Sequence, residues 1–250
     1  MTSQPMRPPL VFYRTGPMPC PYLPGRIERN LFTELRGNAA QPLHDSLAQA
    51  GFRRSHHIVY RPACPGCSAC VPVRIATRDF APGRSLRRVW RRNADIVARV
   101  RAPEATAEQY ALFTRYQGGR HAGGEMATMT VTDYRAMVED TTVDTILVEF
   151  RDAGDVLLGG CLVDRLGDGL SAVYSYFDPE AADRSLGTYI VMWLIEHARA
   201  LSLAHVYLGY WVRDCAKMVY KTRFAPLEAL GPDGWQPLSA DHGEMPISRT

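Results

Sequence analysis

One stretch, residues 145–211, narrows the fold more than any other part of the chain. Three β-rich runs, TILVEFRD, VLLGGCLVDRL and LSAVYSYFD, are separated by the turn signals Ala153-Gly154-Asp155 and Gly167-Asp168-Gly169. Runs of β-branched and aromatic residues broken by Gly and Asp predict strands joined by tight turns, a meander. A long apolar run follows from Leu186 to about Leu201, of helical length, and HVYLGYWV then reads as a further strand. KMVYKTRF is predicted as a short helix. Strands that feed a helix able to cover them predict an α+β fold, a mixed and mostly antiparallel sheet with helices.

The first hundred residues read differently. Residues 1–30 are rich in Pro and Gly and predict an irregular arm. Residues 43–51 predict a short helix stopped by Gly51, residues 52–60 a strand, residues 61–70 a tight loop, and VPVRIA another strand. Residues 107–117 suit a helix with Tyr110, Phe113 and Tyr116 on related faces; Gly118 to Gly124 predicts a break. Residues 132–140 suit another helix, with Thr132 as its cap. The predicted boundary lies near residue 105, between a cysteine-containing basic module (1–105) and an α/β domain (106–250).

No run of 18 apolar residues occurs, so no transmembrane helix is expected. The N-terminus lacks the basic start and apolar core of a signal peptide, and a cytoplasmic location is expected. Disulfides are then not expected. The six cysteines call for metal binding, catalysis or burial.

Three of them, Cys64, Cys67 and Cys70, have the spacing C-x₂-C-x₂-C, and Cys20 stands apart in Pro19-Cys20-Pro21-Tyr22. Thiolates suit zinc or an iron–sulfur cluster, and both favour four sulfur ligands. Cys20 is the fourth candidate ligand by arithmetic; His56 and His57 compete with it, and buried free thiols are the plain alternative. Cys161 falls in a strand-like run and predicts a core position. Cys215 could be either.

A second constellation is a band of Arg84, Arg87, Arg88, Arg91 and Arg92 with Asn93, interleaved with Trp90. From Arg74 to Arg101 nine arginines face two acids, Asp79 and Asp95. Guanidinium groups pair with phosphates and Trp stacks on bases, so the band points to nucleic acid; a solvated helix face is the alternative. A third, Arg184-Ser185-Leu186-Gly187-Thr188-Tyr189, opens the long apolar helix. It resembles the acyl-CoA pyrophosphate loop of the GCN5-related N-acetyltransferases, in which helix N-terminal amides cradle phosphate. Tyr189 stands where that loop has Gly or Ala, and is expected to crowd a CoA pyrophosphate. The fourth is Tyr174-Ser175-Tyr176-Phe177-Asp178-Pro179, where Tyr176 and Asp178 are candidate catalytic residues. A turn-capping role for Asp178 is the alternative.

Taken in order, Cys20-Pro21-Tyr22, the Arg61-Pro62 to Cys70 loop, Phe80 through Asp95, Tyr174 to Pro179, Ser185-Leu186-Gly187, Tyr207 to Trp211 and Lys217 through Glu228 resemble the arginyl-tRNA–protein transferases. The compact length is similar to the bacterial branch, the aspartate/glutamate leucyltransferases. The resemblance covers nearly the whole chain. It implies an N-acetyltransferase-like C-terminal fold. It also implies leucyl-tRNA as donor and proteins beginning with Asp or Glu as acceptors, which are thereby marked for degradation by the N-degron route. Relatives can bind an iron–sulfur cluster at such a cysteine set, although the eukaryotic ones have C-x-x-C where this chain has Cys20-Pro21-Tyr22-Leu23.

The chemistry so implied is acyl transfer from a tRNA ester to an α-amine. Such amines have a pKa of about 7.7–8.0, so a useful fraction is neutral. The ester is already activated; positioning and oxyanion donors suffice, and no cofactor is required. Asp178 is expected to take a hydrogen bond from the incoming α-ammonium. Arg84, Arg87, Arg88, Arg92, Asn93, Arg184, Ser185 and Gly187 are expected to bind the tRNA or the acceptor, since arginines suit both the tRNA phosphates and the acceptor's side-chain carboxylate.

Overall fold

The computed structural model describes residues 10–120 and 123–238. The N-terminal part runs through β1 (Tyr13–Arg14), β2 (Met18–Pro19), β3 (Ile27–Glu28), β4 (Asn30–Glu34), α1 (Ala40–Gln49), β5 (Arg53–Ser55) and β6 (Ile58–Pro62). Strands β1, β4, β6 and β5 form one sheet in that order, and β2 pairs with β3. The predicted irregular arm therefore carries three short strands in two pairings.

The chain continues through β7 (Val71–Ala76), α2 (Arg84–Arg92), β8 (Val97–Arg101), α3 (Ala107–Arg120), α4 (Val131–Glu139), β9 (Thr145–Arg151), β10 (Leu157–Leu166) and β11 (Gly169–Phe177). It ends in α5 (Leu186–Ala200), β12 (His205–Trp211), β13 (Leu227–Gly231) and β14 (Gly234–Pro237). An eight-stranded sheet has the order β14-β13-β7-β12-β11-β10-β9-β8. Only the β11–β12 pair is parallel. The fold is α+β on a mostly antiparallel sheet. Both β7 and β8, which precede residue 105, are strands of the sheet that carries the meander.

Helix α5 covers one face of this sheet. Leu186, Ile190, Leu194 and Ile195 pack with Val148, Phe150, Cys161 and Val163. Helices α3 and α4 cover the other, where Leu112, Phe113, Tyr134 and Val138 meet Leu147, Leu162 and Tyr176. Fully burying each such side chain contributes about 1.5–3 kcal/mol. Cys161 lies in the core, as its strand setting predicts. Alternation along β9 and β10 assigns each residue its face. In β11 it is broken: Leu162 pairs with Tyr174 and Val163 with Ala172, so Val173 is an extra residue. This bulge swaps the faces of everything after it. Leu170 faces α5, whereas Tyr174 and Tyr176 turn toward α3 and α4.

Two local expectations change. Helix α3 runs through Gly118 and Gly119 to Arg120. Gly119 allows a close approach there: a Cβ would lie 3.1 Å from the Pro179 side chain, tighter than an ordinary contact. Helix α4 is capped by Thr130, not Thr132, in a capping box with Asp133.

The N-terminal sheet is pinned to the large one by a buried carboxylate. Asp164 on β10 accepts from Arg54 Nε and Nη2, both at 2.7 Å, from Thr145 Oγ1 at 2.8 Å and from His44 Nε2 at 2.9 Å. Arg54, His44 and Asp164 are all excluded from solvent.

Candidate active site

The parallel pair β11–β12 holds only from Gly169–Ser171 against His205–Tyr207, and beyond that the strands part. Parting strands leave carbonyls without partners, and buried ones must find others. Two cations supply them. Arg53 Nη2 donates to Ala172 O at 3.1 Å and Val173 O at 2.8 Å. Lys221 Nζ donates to Leu208 O at 2.8 Å and to Tyr210 O. Gly209 has φ +72 and a Cβ there would collide with the Arg53 guanidinium, so only glycine lets Arg53 into the wedge.

At the mouth of the wedge lies a cavity of about 460 Å³. Its walls include Ser175, Phe177 and Asp178 at the end of β11, Ser185, Leu186 and Gly187 opening α5, Tyr116 and Arg120 from α3, and Lys217 and Tyr220 from the turn Ala216–Arg223. The meander, the helix start and the KMVYKTRF segment therefore converge on one place. KMVYKTRF is helical, but 3-10 rather than α.

Asp178 lines this cavity. Its Oδ1 takes the Glu180 amide at 2.9 Å and its Oδ2 lies 3.8 Å from Arg115. The turn-capping bond and the cavity position coexist. Ser185 adopts a left-handed backbone, φ 54 and ψ 46, which turns the chain into α5. The first amides of a helix lack intrahelical acceptors, and those of α5 open among cavity-lining residues. Gly187 permits close packing: a Cβ would lie 2.8 Å from the Phe177 ring.

Other predicted residues do not meet here. The bulge turns Tyr176 to the opposite face, where it is 1% exposed and its hydroxyl lies 2.6 Å from that of Tyr134. Burial raises its phenol pKa well above the usual value. Asn93 is fully buried and donates to Val89 O and Arg184 O, both at 2.9 Å. It supports the site from within and presents nothing to a tRNA. Arg184 is held by Asn93 Oδ1 at 3.0 Å and by Asp95. Tyr189 points away from the cavity, into a groove of about 480 Å³ between α2 and α5, beside Trp90 and Trp193. It cannot crowd a ligand at the helix start.

The arginine band is helix α2, with Leu86 and Val89 buried and Arg84, Arg87, Arg88, Arg91 and Arg92 exposed. Arg87 donates to Pro82 O at 2.9 Å. Arg92 donates to Asp183 O, and with the Asn93–Arg184 bond this fastens the end of α2 to the turn preceding α5. The cationic helix thus abuts the cavity rim.

Cys20, Cys64, Cys67 and Cys70 gather beside β2 and β3. Burial, with Cys20, Cys64 and Cys67 adding to it, pushes the Cys70 thiol up to about 12. The Arg29 amide donates to Cys64 Sγ and Arg26 Nη1 to Cys67 Sγ, each at 3.4 Å. In kind, four thiols with N–H donors fit a zinc or iron–sulfur site. In spacing they do not close on one: among the described residues no three His, Cys, Asp or Glu side chains are arranged to hold an ion.

Sequence comparison places the chain among transferases. Residues 18–88 match the N terminus and residues 108–231 the C terminus of the arginine-tRNA-protein transferase family, and the chain belongs to that family. Among its relatives, the aspartate/glutamate leucyltransferase of Paramagnetospirillum magneticum is 55% identical over 97% of this chain and 100% of its own. The enzyme of the same name from Gluconacetobacter diazotrophicus is 54% identical, over 96% and 93%. That from Rhodospirillum rubrum is 50% identical, over 94% and 96%. Among solved structures, L-PGS from Bacillus licheniformis aligns at a TM-score of 0.47 and 9% identity, over 72% of this chain and 52% of that one. No helix among the described residues is long and apolar enough to cross a membrane.

Proposed function

We propose that this chain transfers leucine from leucyl-tRNA to the α-amine of proteins beginning with Asp or Glu, in the cytoplasm, and so marks them for the N-degron route. The observation that carries the reading is the cavity in which Asp178 and the start of α5 meet, next to the arginine helix. The α2 arginines take backbone phosphates of the donor, and the aminoacylated 3′ end enters the cavity. The α-ammonium of the acceptor approaches Asp178, which accepts its hydrogen bond and helps it lose a proton. The neutral amine attacks the ester carbonyl to give a tetrahedral oxyanion stabilised by the amides opening α5; the ester C–O bond then breaks and the departing ribose oxygen takes up the proton that the amine releases. The tetrahedral intermediate needs no covalent bond to the protein. We read the parted strands beside a helix start as an N-acetyltransferase-like arrangement. We read the four thiols of the N-terminal module as the place for zinc or an iron–sulfur cluster, with no part in acyl transfer.

Mixing the protein with labelled leucyl-tRNA or arginyl-tRNA and peptides beginning with Asp or Glu tests this directly. Leucine on the peptide N-terminus is the expected result. Arginine instead of leucine would reassign the donor, and transfer of neither would refute the reading.

A further inference from the structure

The cavity carries more positive charge than the transfer step uses. Among the described residues, the cations at its walls and supports include six, of which four are committed. Arg115 pairs with Asp178, Arg184 with Asp95 and Asn93, Arg53 with the carbonyls of β11, and Lys221 with those of β12. The other two, Arg120 and Lys217, both line the cavity, and neither has a carboxylate within ion-pair distance among the described residues. They come from separate elements, the last residue of α3 and the turn after β12. Arg120 lies with its guanidinium carbon 5.3 Å from the centre of the Phe177 ring, another cavity wall. An aromatic face beneath a guanidinium strips part of its hydration and leaves its N–H fork for a planar acceptor.

We propose that Arg120 and Lys217 read the side-chain carboxylate of the acceptor's first residue. This rests on the functional reading above and names what selects the acceptor. An N-terminal Asp or Glu presents an ammonium and a carboxylate only a few bonds apart. A site for it needs an anionic group and unpaired cations on one cavity, and Asp178 stands with Arg120 and Lys217 in that relation. A phosphate of the tRNA is the other anion these cations could hold. The carboxylate is favoured because the exposed arginines of α2 at the rim already serve phosphates, whereas Arg120 and Lys217 line the cavity where the amine must react. A bidentate guanidinium–carboxylate pair also rejects the amide isostere, since Asn or Gln would leave it half satisfied.

The test compares steady-state transfer to two peptides that differ only in beginning with Asp or Asn, using wild type, Arg120→Ala and Lys217→Ala. Both side chains are exposed, so the variants keep the fold. The wild type should prefer Asp. In Arg120→Ala the kcat/KM for the Asp peptide should fall about tenfold to hundredfold, the range for losing a charge-assisted hydrogen bond. The Asn peptide should change less than about threefold, and Lys217→Ala should act in the same direction. An equal fall for both peptides with a raised KM for the tRNA would assign the cations to phosphate and overturn the proposal. Unchanged discrimination in both variants, with an active wild type, would overturn it alone. A wild type that leucylates neither peptide would overturn the functional reading and this one together.

Discussion

Lys221 donates across 2.8 Å to the carbonyl of Leu208, on the stretch of β12 beyond its pairing with β11. A lysine thereby replaces a missing β partner, at the cost of burying its amine. Burial, reinforced by the nearby Arg53 charge, lowers its pKa to about 7. An unfolded lysine titrates near 10.4. Between those values the unfolded chain binds the extra proton, so stability rises with pH over roughly 7 to 10.4, at most by about 1.4 kcal/mol per unit. Lys221→Met should remove that rise from the pH dependence of unfolding measured in denaturant. A variant whose stability curve runs parallel to wild type between pH 7 and 10 would show that Lys221 is not the titrating group.

Asp164 should be the costliest single carboxylate to neutralise. Burial alone would raise its pKa, but the bonds from His44 and Arg54 outweigh it and hold the group below the usual carboxylate range. Its contribution is therefore present above about pH 3.9 and is lost as pH falls through the lower folded value. Asp164→Asn leaves the Arg54 guanidinium buried without a counter-charge, which costs about 3–5 kcal/mol. Chemical denaturation at neutral pH measures this; a loss under about 1 kcal/mol would mean that the pin between the two sheets is dispensable.

The arginine helix should govern tRNA affinity and its salt dependence. Arg88 and Arg91 are exposed and spend no bond on the protein among the described residues, unlike Arg87 and Arg92. Replacing both with Glu should weaken binding and reduce the slope of log affinity against log salt by about 2, one for each phosphate contact. Filter binding at several salt concentrations reads both. An unchanged slope in a folded double variant would place the tRNA elsewhere.

Parts of this fold were open to reading from the sequence because they depend on local period. The meander from Thr145 to Phe177 and the helix from Leu186 stand where alternation and apolar length put them. The cavity was half legible: Asp178, Ser185 and Gly187 meet in it, as their sequence setting suggested. Tyr176 was misplaced because one extra residue, Val173, reverses the faces of β11, and a bulge leaves no mark on composition. Asn93 looked like part of a polar surface patch, but it ends α2 on the buried side, and only packing against Arg184 decides that. The glycine pair before Arg120 read as a break, although in a helix glycine also permits close approach, here to Pro179. Arg53 and Lys221 could not be found at all, since their roles arise where two strands distant in sequence part.

The cysteine set should take up metal by closing its loop. Anaerobically purified protein is expected to carry close to one equivalent of zinc or one iron–sulfur cluster, and thiol-reactive dye should reach more cysteines once the metal is removed. Cys67→Ser should lower the metal content and leave Cys161 and Cys215 unreactive, since both are buried. Elemental analysis that finds neither zinc nor iron would leave these thiols as packing residues.

Asp178→Asn separates chemistry from stability at the centre of the site. The asparagine oxygen can still accept the Glu180 amide, so the turn before Pro179 keeps its cap. The lost pairing with Arg115 is loose, at 3.8 Å, and Arg115 is half exposed, so it accounts for no more than about 1 kcal/mol. The variant should therefore melt close to wild type and bind tRNA normally. What it lacks is the charge that receives the acceptor's ammonium and assists its deprotonation. Transfer of leucine to an Asp-starting peptide should fall by about 10²–10⁴-fold, the usual worth of such assistance. The Tyr176→Phe variant is the internal control: its hydroxyl faces Tyr134 rather than the cavity, so it should cost some stability and leave transfer nearly intact. Transfer by Asp178→Asn within about threefold of wild type would deny the carboxylate this role, and a large loss in Tyr176→Phe at unchanged stability would move the reacting group to the other face of β11.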